Sequence, residues 1–222
     1  MWPEIELTPL WLTLKIAGLA TLIALILGLI IARSLARRRL WYCDWLDAFF
    51  TLPMVMPPTV LGYYLIVVVG RNGWLGRWLE QQFGIILMFT WQGAVLAATV
   101  VAFPLVFKSA RAAFENVEQD LEKAARVLGA TEVEVFFRIT LPLATRGILA
   151  GTMLAFARAM GEFGATLMIA GNLPGKTQTL SMAVYDAVQA GHDTLANVLV
   201  GIISLVCITI LVVSSKLLTP KY

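Results

Sequence analysis

Two stretches of the chain hold residues whose types and spacing could do chemistry. Arg158 and Glu162 stand four apart inside an apolar run, which places a guanidinium and a carboxylate on one helical face. Charges at mid-membrane depth are costly and usually face a cavity or a partner. The pair therefore reads either as a polar wall on a substrate path or as a self-neutralising pair that anchors helix packing. Ala170-Gly-Asn-Leu-Pro-Gly-Lys-Thr177 fits a relaxed phosphate-binding loop, with Ala in place of the first Gly. Such a loop needs a preceding strand and a following helix in a soluble domain. Here an apolar span precedes it and Pro174 removes an amide donor, so a Gly/Pro turn explains it. No Ser/His/Asp set, paired catalytic carboxylates or metal-ligand spacing occurs, and His192 is the single histidine. Cys43 lies in a polar loop and Cys207 deep in an apolar run, which argues against a disulfide and a metal site. The expectation is a chain with no catalytic residue and no metal.

The elements that would position these residues are membrane spans. Of 222 residues, 59% are hydrophobic and 14% charged, against about 25% charged in soluble domains. Five apolar runs are long enough to cross a bilayer: residues 10–32, 52–70, 86–107, 147–171 and 195–217. The acidic start of the chain lacks the basic region of a cleavable signal, so the first run is read as a retained span. Lys and Arg are unevenly shared between the loops. Arg33, Arg37, Arg38, Arg39, Lys108, Arg111, Lys123, Arg126, Arg138, Arg146, Lys216 and Lys221 fall on one side; Arg71, Arg77 and Lys176 fall on the other, with Lys15 close to the outer end of the first span. The richer side belongs in the cytoplasm. This predicts an N-terminus outside, a C-terminus inside, and a cytoplasmic loop over residues 108–146. Trp41, Tyr42 and Trp45 sit where the second span enters, at headgroup level. Trp74, Leu75, Trp78, Leu79 and Phe83 share one face of a short helix, either lying in the outer interface or packed as a loop helix.

Breakers fall inside the spans. Pro53, Pro57 and Pro58 crowd the start of the second and Pro104 sits late in the third. Each removes a helical hydrogen bond and invites a kink. The fourth span is rich in Gly and Ala, which lets helices approach closely.

The 108–146 loop has its own periodicity. Asn116 and Gln119 resemble a capping box that starts a helix. Leu121, Ala124, Ala125 and Leu128 then form a narrow apolar stripe, with Glu118, Glu122, Lys123 and Arg126 opposite. Gly129 stands at the natural stop. Thr131 and Glu134 form a second capping box before Val133, Phe136 and Phe137, and Pro142 begins the return to the membrane. Two short helices around Gly129 suit insertion into a groove on another protein, or serve as caps under the membrane helices.

The spacing of this loop resembles that of bacterial ABC importer permeases. Their cytoplasmic signature is Glu-Ala-Ala, three residues, Gly, nine residues, Ile, one residue, Leu-Pro. Ala124, Ala125, Gly129, Ile139, Leu141 and Pro142 stand in register. Lys123 occupies the usual Glu position, with Glu122 just before it, so Glu122 is the candidate to make the contact an acid usually makes there. Residues 52–62 and 161–166 are similar to permeases for the tetrahedral oxyanions molybdate, tungstate and sulfate, and the short chain and residues 70–76 look most like the molybdate permeases. The resemblance implies one all-α transmembrane domain over 1–222 with the ABC type I importer permease fold, in a bacterial inner membrane. It implies a second permease copy forming a homodimer, two cytoplasmic ABC ATPase subunits carrying ATP and Mg, and a periplasmic oxyanion-binding protein. Glu122, Lys123, Ala124, Ala125, Gly129, Ile139, Leu141 and Pro142 would couple to the ATPase. Pro57, Pro58, Thr59, Arg158, Glu162, Gly164 and Thr166 are the candidates for the translocation path. The rival from another class is a stand-alone secondary transporter or channel. It would need no docking loop and often shows paired inverted repeats, into which five spans do not divide.

Overall fold

A computed structural model of the protein describes residues 8–36 and 41–218, and the described residues are almost entirely helical. In chain order the helices are α1 (Thr8–Leu35), α2 (Trp41–Val55), α3 (Pro58–Val69), α4 (Trp74–Phe83), α5 (Trp91–Glu115), α6 (Gln119–Val127), α7 (Glu132–Val135), α8 (Leu141–Met160), α9 (Gly164–Ala170), α10 (Leu180–Gln189) and α11 (Asp193–Leu218). A π-helical turn, Phe136–Thr140, joins α7 to α8. Arg37, Arg38, Arg39 and Lys221 of the charge count lie outside the described residues.

The bundle is built on α5. Its most apolar stretch is 72% buried, against 33% for α1 and 11% for α11, so it is the central rod and the others surround it. The reason lies in its side chains. Ala94, Ala97, Ala98 and Ala102 are fully buried, and Ala17, Ala20 and Ala24 of α1 are buried equally. Lipid tails are as apolar as Leu, so membrane helices associate through close packing, which small residues permit. On the other side of α5, a Cβ at Gly151 of α8 would stand 2.3 Å from the Ser109 Cβ. Thr90 caps α5, its hydroxyl accepting from Gly93 N–H at 3.2 Å. Thr13 ties α1 to α10: its hydroxyl accepts from Leu180 N–H at 2.8 Å and donates to the Pro9 carbonyl.

Three of the expected spans take a different course. The run 52–70 is not one helix: α2 and α3 meet at 116°. Pro57 and Pro58 are the cause. Neither has an N–H, and a residue before proline is pushed out of the α region. Pro57 is extended, with φ −56° and ψ 136°, and Pro58 opens α3, the position where a missing N–H costs nothing. The run 147–171 is also interrupted. It starts earlier, at Leu141, and breaks at residues 161–163 before α9. The third span runs from Trp91 to Glu115 instead of 86 to 107, because residues 84–90 form a non-helical turn with Gly84 and Phe89 at positive φ. The first and fifth runs lie within α1 and α11. Among the described residues four helices are long and apolar enough to cross a membrane, and five spans are counted when the bent α2–α3 pair is one of them. The short helix with exposed Trp74, Trp78 and Phe83 is α4. Helix α10 was not expected; with 10 residues it is too short to register as a span.

Replacing Gly151 with Leu is expected to overpack the α5–α8 seam, at a cost of about 1–3 kcal/mol. Gly201, where a Cβ meets nothing within 4 Å, is the control. In detergent, Gly151→Leu should lower the unfolding temperature by several degrees and Gly201→Leu should leave it nearly unchanged. Equal effects would contradict this packing.

Candidate functional site

The loop between α5 and α8 is a helix–turn–helix whose turn is fixed by local chemistry. After Val127 the chain closes a Schellman motif: Ala130 N–H donates to the Ala125 carbonyl at 3.1 Å and Gly129 N–H to the Arg126 carbonyl at 3.0 Å. Gly129 has φ +89°, a conformation that costs an L side chain about 1–2 kcal/mol. Thr131 then starts α7 with the expected capping box. Its hydroxyl accepts from Glu134 N–H at 3.3 Å, and its own N–H donates to Glu134 Oε2 at 2.9 Å. The box expected at Asn116 and Gln119 does not form. Helix α5 runs on to Glu115, so Asn116 is its C-cap and donates its N–H to the Ala112 carbonyl, while Glu118 begins α6 without a side-chain cap.

Of the residues read opposite the apolar stripe of α6, Glu118, Lys123 and Arg126 are exposed and Glu122 is not. Glu122 is its one buried side chain, 1% exposed. The apolar residues point outward: Leu121 is 45% exposed, Leu128 and Val127 87% each. Ala124 and Lys123 are exposed and Ala125 half-buried. Glu122 was read on the face opposite the apolar stripe; that position is turned inward and its carboxylate buried, while Leu121 and Leu128 of the stripe point out. The Glu122 carboxylate accepts a 2.6 Å hydrogen bond from the Thr140 hydroxyl, itself fully buried. Arg126 Nη2 lies 3.7 Å from the other Glu122 oxygen. The same guanidinium forks onto Glu132 at 2.6 and 3.2 Å. The hydrogen bonds that Arg126 donates to Glu132, and then the charges of Glu132 and Glu122, raise the Arg126 pKa above its usual range. Lys123 pairs with Asp120 at 2.9 Å. Exposed Val133 and Phe137 widen the apolar surface next to α6. Ile139 and Leu141 are half-buried and Pro142 is exposed in the first turn of α8. Leu141 and Phe136 pack on a buried cluster that holds Ala32, Phe107, Phe114 and Ala144, so the loop stands directly on α1, α5 and α8.

The second constellation lies at the breaks. Glu162 falls just past the end of α8, not within a helix, yet the pair forms: Arg158 Nη1 donates to Glu162 Oε2 at 2.8 Å. Glu162 Oε1 accepts from Ala165 N–H at 2.8 Å. One buried carboxylate thus holds the end of α8 and the first turn of α9 together. Arg158 is 39% exposed against 2% for Glu162, and it lines a cavity of ≈ 280 Å³ with Pro53, Met56, Pro58 and Leu105. A Cβ at Gly164 would stand 2.8 Å from the Pro58 Cβ, so the break before α9 abuts the break before α3. Pro58, Arg158, Glu162 and Gly164 are brought together. Pro57 and Thr59 are exposed beside them, and Thr166 is buried in α9. Residues 170–177 form a closed turn: the Thr177 hydroxyl accepts from Leu173 N–H at 3.0 Å and donates to the Gly171 carbonyl at 3.1 Å. Sequence reasoning missed Thr140, whose only signal was its place between Ile139 and Leu141. It also missed Asp186, which accepts from the Asn172 and Gln178 amides at 2.7 Å each.

The family model described as the binding-protein-dependent transport system inner membrane component matches residues 24–222. The chain is 45% identical over 203 residues to the molybdenum transport system permease protein ModB of Escherichia coli, covering 90% of this chain and 89% of that protein. It is 45% identical over 184 residues to ModB of Haemophilus influenzae, covering 83% and 80%. A chain named as a probable sulfate transport system permease protein, cysT, of Chlorella vulgaris is 37% identical over 194 residues, 87% of this chain and 72% of that one. Among solved structures, a bacterial ABC transporter that imports the acidic polysaccharide alginate matches with a TM-score of 0.76 and 15% identity, covering 97% of this chain and 79% of that one. The inward-facing methionine ABC transporter MetNI matches with a TM-score of 0.75 and 16% identity, covering 98% of each. At these identities the two structures speak to the fold alone.

Arg158→Ala leaves the buried Glu162 carboxylate without its cation and is expected to cost about 1–3 kcal/mol. Glu162→Gln keeps an acceptor for Ala165 N–H and should cost less. Detergent unfolding temperatures read the order; a reversed order, or no effect from either change, would contradict the pairing.

Proposed function

The chain belongs to the family of binding-protein-dependent transport system inner membrane components, and from that premise we propose that it is the membrane-spanning subunit of an ATP-driven importer that carries molybdate into the cell. It is a multi-pass membrane protein with the fold of ABC importer permeases and acts as a transport component. The observation that carries the finer reading is the outward apolar face of α6. Leu121, Val127 and Leu128, flanked by Val133 and Phe137, are exposed on a loop whose alanines, Gly129, Ile139, Leu141 and Pro142 stand in register with the importer signature. An apolar patch rimmed by charges in the aqueous phase marks a protein contact. Its occupant is the ATPase, whose own site holds ATP and Mg. Lys123 and Ala124 lie on the surface that meets it. Glu122 faces Thr140 instead, so it serves the loop from within.

The loop is cytoplasmic, the N-terminus outside, and two copies of the chain enclose the path in a bacterial inner membrane. ATP binding biases a two-state equilibrium that both ATPase and permease share. A periplasmic binding protein delivers the oxyanion and supplies most of its selectivity. The permease passes it along the breaks before α3 and α9, where Arg158 faces the cavity while paired with Glu162. A lone guanidinium would hold a divalent anion; one tied to a carboxylate releases it. The greater identity to the molybdenum permeases than to the sulfate permease supports molybdate as cargo.

Proteoliposomes that hold the chain, its ATPase and the binding protein should accumulate molybdate only with ATP. Accumulation without the ATPase would overturn the reading in favour of a stand-alone transporter, and ATP-driven uptake of sulfate with no uptake of molybdate would replace the cargo. With Cys43 and Cys207 changed to Ser, Lys176→Cys should react with an impermeant thiol reagent from outside intact cells; reaction only from the cytoplasm would invert the topology. Gly129→Trp, which strains the Schellman turn, should lower uptake roughly tenfold with the protein still in the membrane, and undiminished uptake would contradict the docking role of the loop.

A further inference from the structure

We propose that Glu122 is the positioning residue through which movement of α6 reaches α8, by way of its hydrogen bond to Thr140. The proposal rests on the coupling role given to the loop and adds how that loop passes motion upward. Helix α6 has a single buried side chain, and it is this carboxylate. Apolar packing therefore does little to fix α6 to the rest of the chain. Its large apolar side chains, Leu121 and Val127, face away. What remains between α6 and the membrane helices is polar and directional.

The partner occupies the right place. Thr140 is the last residue of the π turn, fully buried, and stands immediately before Leu141, where α8 begins. Its hydroxyl donates to Glu122 Oε1 at 2.6 Å, the length of a charge-assisted bond, about twice as strong as a neutral one. Arg126 approaches the other oxygen at 3.7 Å and grips Glu132. Arg126 of the same helix thus links the carboxylate to Glu132 of α7. A π turn inserts an extra residue into a helical ladder and recurs at functional sites. Here it sets the Thr140 hydroxyl inward, toward α6. Helix α8 runs unbroken from Leu141 to Met160 and carries Arg158 in its last turn. A pull on Glu122 would therefore act on the foot of the helix whose head lines the cavity. The bond also joins the two halves of the signature, the Ala124–Gly129 half and the Ile139–Pro142 half, into one body.

The test uses the full complex of chain, ATPase and binding protein in proteoliposomes, and reads oxyanion carried per ATP hydrolysed. Glu122→Ala and Thr140→Val should each lower that ratio roughly tenfold, while the ATPase still co-purifies and hydrolyses ATP. The double variant should be no worse than either single one. Glu122→Gln and Thr140→Ser, which keep an acceptor and a donor, should restore most of the ratio. Should Glu122→Ala fail to fold, the Thr140→Val and Thr140→Ser pair decides alone. An unchanged ratio in Thr140→Val, or additive losses in the double variant, would overturn the proposal. So would loss of the ATPase from the complex, which would make Glu122 a docking residue. Failure of the wild-type chain to import with ATP would instead sink the functional reading itself, and it is seen before any variant is made.

Discussion

Close approach of helix backbones around α5 is the constraint on which the structure depends. In a bilayer there is no hydrophobic gain in hiding one apolar helix behind another, so contact must come from packing. Ala94, Ala97, Ala98 and Ala102 give α5 sides with almost no relief, and α1 answers with Ala17, Ala20 and Ala24. Gly151 and Gly147 do the same for α8. Bulkier side chains at these seams would separate the helices and loosen the foot of α8 from its neighbours. Everything the functional reading asks of α8, as a rod between a loop and a cavity, presumes that it is held along its side.

Among the described residues two buried carboxylates interrupt this apolar body, one near each end of α8. At one end of α8, Glu122 accepts from Thr140 at 2.6 Å; at the other, Glu162 accepts from Arg158 and from Ala165 N–H at 2.8 Å. Each is a buried carboxylate that spans a break in the chain. A buried polar group left unpaired costs about 1–3 kcal/mol, so each fixes the geometry of its break more tightly than apolar packing would. About 20 residues of helix, ~30 Å, separate them. The two breaks are therefore joined by one stiff element, and the second lies against the Pro57–Pro58 bend through Gly164.

Much of this was legible in the sequence, and the parts that were not share a cause. The stop at Gly129 and the Thr131–Glu134 box are local, set by residues within a few positions, and both stand as read. The Arg158–Glu162 pair was legible as a spacing, and it forms although the helix ends between them. The bend at Pro57 and Pro58 was visible as residues but hidden by an apolar window that ran across it. Periodicity gave the stripe on α6 but left its orientation open between a partner's groove and the membrane helices above; Leu121 and Leu128 are exposed, the orientation a groove would need. Glu122 and Thr140 are 18 residues apart, and no local rule pairs them. Helix α10 escaped notice because hydropathy windows are tuned to spans.

The central claim is that the outward face of α6 meets an ATPase. Cysteine cross-linking tests it most directly. In a chain with Cys43 and Cys207 changed to Ser, a single cysteine replaces Ala124, and in a parallel chain it replaces Val200, exposed on the side of α11. The purified complex is treated with a short bifunctional thiol reagent against cysteines placed along the ATPase cleft. The expected result is a cross-link from position 124 and none from position 200. An intact complex that cross-links at neither position, or only at 200, would contradict it.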